Sequence, residues 1–179
     1  MLRKAWRPWG EAESLRPEEL EASAVLEGLR PLVAVTGSRR DYSKFEAIFV
    51  REDGRMLLDW AATEGMGDLM VSQLAEGAPA KGATVRVTLE PSDFFTPDIP
   101  EGKFRCYKVS DAANLHLAWA YVPVDSPMIG TLKDDFNEGS ILMEKTSRLP
   151  FTLKVDGPLR TGSTQYLVTE LLHKGWVNP

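Results

Sequence analysis

At 179 residues, with 43% hydrophobic and 26% charged side chains, the chain has the composition of a globular protein with room for one sizeable core or two small ones. A net charge of −5, shared between both halves, opposes bulk attraction to nucleic acid, which needs an excess of Lys and Arg against phosphate. Cys106 is the only cysteine, so neither an intrachain disulfide nor a thiolate metal cluster can form, and no run approaches the roughly 18–20 apolar residues of a membrane span.

The first ten residues set Arg3, Lys4 and Arg7 among Trp6, Pro8 and Trp9, and they lack the apolar core of a signal peptide. A frayed or docking N-terminal segment over 1–16 is expected, in a cytoplasmic protein by default. A basic-aromatic stub is also what remains beside a truncated membrane anchor. Pro17-Glu18-Glu19 has the signature of a helix start, with Leu20, Ala24 and Val25 on one face and Gly28 with Pro31 closing the element.

Leu32 to Thr36 reads as a short strand ended by Gly37-Ser38, and the alternation of Phe45, Ala47 and Phe49 marks a second. Asp53-Gly54 is a two-residue hairpin turn, because both residues tolerate positive φ, and Arg55 to Trp60 is the returning strand. A helix is expected from about Gly65 to Ala75, with Met66, Leu69, Met70 and Leu74 on one side, followed by a linker at Ala80-Lys81-Gly82. Residues 17–80 therefore read as helix, three strands, helix. That core is thin enough to lean on the C-terminal half, so one continuous structure is favoured over two separate domains.

Residues 83–177 hold three strands, one helix and two strands. Ala83 to Leu89 alternates, with Val85, Val87 and Leu89 on one face, and Pro91 is expected to stop it. Lys103 to Val109 and Asn114 to Val122 come next. In the latter, Leu115, Leu117, Trp119 and Tyr121 lie opposite His116, Ala118 and Ala120, whose small alanines suit a tightly curved barrel. Ser126-Pro127 starts a helix carrying Ile129, Leu132 and Phe136. Ile141-Leu142-Met143 reads either as a short strand or as buried loop. Phe151 to Val155 and Ser163 to Leu172 complete the set.

In this order of elements, residues 83–177 resemble an OB fold. The resemblance is one of topology over about half the chain, and it implies a five-stranded barrel with a curved binding face. The segments Phe104-Arg105-Cys106-Tyr107 and Lys174-Gly175-Trp176-Val177 are similar to stretches of uncharacterised bacterial proteins. The fold class expected is α+β, mostly antiparallel β, with the OB-like barrel in the C-terminal half.

Signs of catalysis are sparse. Cys106 sits in an alternating strand, where a free cysteine is ordinarily a small core residue, although Arg105 beside it could lower a thiol pKa. His116 and His173 belong to no triad pattern, Gly37-Ser38 lacks the G-x-S-x-G context, and phosphate loops and dinucleotide fingerprints are missing. The acidic run Asp134, Asp135, Asn137 and Glu138 begins like a calcium loop but places Gly139 at the third ligand position. No cofactor is implied.

The binding candidates are Lys103, Arg105 and Lys108, which fall within six residues free of acids, together with Tyr107, Arg86 and His116. OB barrels take single strands on aromatic platforms in basic grooves, so these six form a candidate ligand or nucleic-acid face. The competing expectation, favoured by the acidic balance, is a non-enzymatic assembly module whose partner is another protein or a second copy. Aromatics are the usual anchors of such interfaces, and Trp6, Trp9, Phe94, Phe95 and Trp176 sit at ends and loops. A third reading, a small-molecule enzyme or sensor, would use a pocket lined by Trp60, Met66 and Met70.

Overall fold

The computed structural model describes residues 21–27, 30–38, 42, 44–138, 144 and 146–177. The helix start at 17–19, the basic-aromatic stub with Trp6 and Trp9, and the segment Ile141-Leu142-Met143 lie outside the described residues. The chain divides into two compact units, residues 1–63 and 64–179.

The first unit is a four-stranded antiparallel meander in the order β1-β2-β3-β4. Its strands are β1 (Glu21–Glu27), β2 (Arg30–Ser38), β3 (Lys44–Glu52) and β4 (Arg55–Leu58). Residues 21–27, expected to continue a helix, instead form β1, with Ala24 opposite Val33 and Val25 opposite Leu32. The pairing explains the correction: a seven-residue segment gains a full ladder of backbone bonds beside β2, which outweighs a weak local helix preference. Asp53 and Gly54 have φ of 48° and 77°, as the hairpin between β3 and β4 requires. The chain then turns into the short helix α1 (Trp60–Thr63), so β4 is shorter than expected. Asp59 starts α1: its carboxylate Oδ1 accepts from Ala62 N at 2.9 Å.

The second unit is a closed five-stranded barrel of order β5-β6-β7-β9-β8. It comprises β5 (Ala80–Ser92), β6 (Phe104–Ser110), β7 (Leu117–Pro123), β8 (Leu149–Gly157) and β9 (Gln165–Lys174). All its pairings are antiparallel except β7 with β9. Two helices belong to this unit, α2 (Val71–Ala75) before β5 and α3 (Met128–Asp135) between β7 and β8 in sequence. This is the OB-like arrangement that the element order implied.

The barrel core follows the alternation. Val85, Val87, Leu89, Tyr107, Val109, Ala118, Ala120, Val122, Phe151, Leu153 and Tyr166 point inward and are buried. Ile129, Leu132 and Phe136 of the α3 region join them, and the Phe136 ring packs against Tyr107 and Phe151 at centroid distances of 5.8 and 5.9 Å. The expected helix over 65–75 shrinks to α2, whose Val71 and Leu74 belong to this core. Residues 65–70 instead lie along β5: Asp68 N donates to Thr84 O at 2.7 Å, and Asp68 Oδ2 accepts from Thr84 N at 2.8 Å. A Cβ on Gly67 would collide with the Thr84 carbonyl, so that position must be glycine for the approach to occur.

Two further expectations are corrected here. Ala80-Lys81-Gly82 is the start of β5, interrupted by a register shift, and not a linker. Pro91 does not end β5, which runs on to Ser92 beside Cys106. Pairing with β8 stops at Leu89, so beyond it β5 has only β6 as a neighbour and forms an edge where a missing N–H is tolerated.

Candidate binding site

In a strand, successive side chains point to opposite faces, so inward Tyr107, Val109, Ala118 and Ala120 put Cys106, Lys108, Trp119 and Tyr121 on the outside of β6 and β7. That outer face is where five-stranded barrels of this topology usually take ligands, helped by the loops joining their first and second and their fourth and fifth strands. Here those loops are 93–103 and 158–164.

The face is not open. The 93–103 loop folds onto it, and Ile99, Cys106 and Tyr121 form a small buried cluster with Phe95, Phe104 and Trp119 packed around it. Phe94 stacks on Trp119 with ring centroids 4.4 Å apart. Phe104 meets Tyr121 edge to face at 6.4 Å. The Tyr121 hydroxyl donates to Phe94 O at 2.8 Å and accepts from Gln165 Nε2 at 3.1 Å. Within the loop, Thr96 and Ile99 exchange backbone bonds of 3.3 and 2.9 Å across Pro97-Asp98. Asp98 pairs with Arg160, linking this loop to the 158–164 loop.

Burial shapes the chemistry beneath. It pushes the Cys106 thiol above its ordinary value, against hydrogen bonding from the Phe94 backbone, so the thiol is held neutral. The Tyr121 phenol is pushed up to about 12 by the same desolvation, and the bond from Gln165 only partly offsets it. The centre of the site is thus a packed apolar and aromatic cluster with no ionised group.

The six residues singled out in the sequence do not share one surface. Lys108 is on the outer face, paired with Glu90 at 3.2 Å, and Lys103 is exposed just before β6. Arg105 and Tyr107 have the inward parity. Tyr107 is fully buried, and Arg105 makes a two-oxygen contact with Glu138 at 2.5 and 2.6 Å where the α3 region closes the barrel. Arg86 is outward but buried, donating from Nε to Trp176 O at 2.6 Å and from Nη1 to Met66 O. His116 lies in the 111–116 turn, 2.6 Å from Asp111 Oδ2. The indole of Trp176, expected near the surface, is buried and donates to Val87 O at 3.0 Å.

Of the other candidates, Asp135 accepts from Lys174 and Glu138 is engaged by Arg105, so the acidic run is distributed over two ion pairs. Trp60 belongs to the first unit, and Met66 and Met70 to the second. No helix of the described residues is long and apolar enough to cross a membrane.

The sequence reading did not group Phe94, Phe95, Ile99, Trp119 and Tyr121. Their signal is present all the same: β7 carries alanines on one face and aromatics on the other, and a strand apolar on both faces must be covered on both. No protein-family model matches the chain, and no curated protein is detectably similar to it.

Proposed function

We propose that the chain is a non-enzymatic binding module that makes protein–protein contacts through the surface formed by the 93–103 loop and β7. One observation carries this reading: the face an OB-like barrel would offer to a polyanion is occupied by a loop of the opposite character. Between Ser92 and Gly102 stand Asp93, Asp98 and Glu101 and no base, and the adjacent cations Lys108 and Arg160 are already paired with Glu90 and Asp98. Phosphate binding requires an excess of positive charge, and here the exposed Lys103 at the end of the loop is outnumbered by the loop's three acids. What it does offer is apolar: Phe94, Leu117 and Leu115 are 43%, 45% and 76% exposed, and Phe94 sits on the Trp119 ring. Large, rigid aromatics are typical interface anchors.

The test compares the native chain with a Leu115→Asp/Leu117→Asp double variant, in which both altered side chains are substantially exposed. The native chain is expected to retain a protein partner from its source lysate or to self-associate in light scattering. The variant should lose at least about tenfold of that association. Salt-sensitive binding of labelled single-stranded oligonucleotides at micromolar protein, or a strict monomer with no partner, would overturn the reading.

A further inference from the structure

The cluster under the 93–103 loop shares no residue with the barrel core. Ile99, Cys106 and Tyr121, with Phe95, Phe104 and Trp119, form one set, while Tyr107, Val109, Ala118 and Ala120 on the inner side of the same strands belong to another. Lifting the loop would therefore uncover only the outside of β6 and β7 and leave the barrel interior packed. Segments that bury apolar surface separately from the main core are the ones that open sub-globally.

The restraints on the loop are also local. Its start is anchored by Ser92 beside Cys106 and its end by Lys103 N and Phe104 N, which donate to Pro100 O at 3.0 and 3.2 Å. Between these anchors it is held by the Ile99 side chain, the Phe94–Trp119 stack, the bond from Tyr121 to Phe94 O and the surface pair Asp98–Arg160. At its far end, a Cβ added at Gly102 would meet nothing within 4 Å, so no packing fixes the loop at that point.

We propose that the 93–103 loop is a displaceable strap, filling in cis the outer face of β6 and β7 that an apolar segment of a partner protein takes when the strap lifts. The nature of the partner is argued from the present occupant. The face accepts two phenylalanines and an isoleucine with one backbone carbonyl bonded to Tyr121, so its partner is an extended apolar segment offering a carbonyl at that point. The inference rests on the protein-binding reading above, and it adds that lifting the strap extends the exposed surface around Leu115 and Leu117 by the face beneath the loop.

Cys106 makes the strap measurable, because it is the only cysteine and is 1% exposed beneath Ile99. The full chain is treated with a thiol reagent at low urea concentrations while global unfolding is followed separately by circular dichroism. A strap predicts labelling that is slow but nearly independent of urea, since opening exposes little surface. Ile99→Ala should raise the labelling rate at least about tenfold with little change in the global midpoint, because that side chain packs outside the barrel core. Asp98→Asn, which removes only a surface pair, should raise it about two- to fivefold. A synthetic peptide with the sequence of residues 92–103, at millimolar concentration, should slow labelling of the Ile99→Ala chain.

Labelling that tracks global unfolding with its full urea dependence, in native and variant chains alike, would overturn the strap. Failure of the peptide to protect Cys106 in the Ile99→Ala chain would overturn it as well. Those results leave the partner-capture comparison of Leu115→Asp/Leu117→Asp standing or falling by itself. A fixed loop with a captured partner refutes the strap alone, whereas a mobile loop in a chain that captures nothing refutes the protein-binding reading beneath it.

Discussion

At the scale of single residues, polar side chains hold the barrel's exterior together. Arg86 is buried on the outside of β5 and donates to the carbonyls of Trp176 and Met66, joining the C-terminal segment to the turn before α2. Replacing it with leucine leaves these buried acceptors without that donor. Arg86→Leu is expected to cost about 2–3 kcal/mol in urea unfolding, and Trp176→Phe, which loses the bond to Val87 O together with part of a buried ring, about 2 kcal/mol. Tyrosines supply a second residue-scale prediction. Burial raises Tyr107, Tyr121 and Tyr166, with Glu138 adding to the shift at Tyr107. In each the folded state favours the neutral phenol. Stability is therefore intact below the ordinary value of 10.0 and is lost as pH rises, through about 12 for Tyr121. Circular dichroism between about pH 9 and 12 should show this loss, and it should be smaller in Tyr121→Phe.

At the scale of elements, legibility depends on whether an element is specified locally. The β3–β4 hairpin is readable because Asp53-Gly54 dictates its own turn, and α3 because Ser126-Pro127 and the spacing of Ile129 and Leu132 agree with one another. Elements specified by their neighbours escape a local reading. β1 carries helix-compatible residues that pair with β2, and 65–70 is drawn along β5 by the Asp68–Thr84 bonds and the bare backbone of Gly67. Gly67→Ala is accordingly expected to destabilise the barrel by about 1–3 kcal/mol in thermal or urea unfolding, since the Thr84 backbone it would strike cannot move without disturbing β5. Asp59→Ala, which removes the start of α1, should cost the first unit about 1 kcal/mol.

On the scale of the whole molecule, closure of the sheet is the governing fact. Apart from the end of β5 beyond Leu89, every strand of the closed barrel has a partner strand on each side, and the barrel encloses its own core. Residues 64–177 expressed alone are therefore expected to fold and to melt in one cooperative transition by circular dichroism. A gradual, non-cooperative melt would show that this unit depends on the first. Because the inner faces of β6 and β7 are spent on the core, only their outer faces are free for recognition, and the 93–103 loop already uses them.

By itself the sequence determined the barrel: its strand count and order, the position of α3, the inward valines and alanines, and the charge balance that disfavours polyanions. These come from alternation, turn residues and composition, which act over a few positions or over the chain as a sum. It did not determine which side chains share a surface. Arg105 and Tyr107 look like neighbours of Lys108 along the chain, yet strand pleating turns Tyr107 into the barrel core and brings Arg105 to Glu138, while Lys108 stays on the outer face with Glu90. Only tertiary structure decided that Phe94, Ile99 and Tyr121, up to 27 positions apart, would meet over Cys106. Long-range packing selects such contacts among many that local pattern permits, so the covered face became visible only once the barrel had closed.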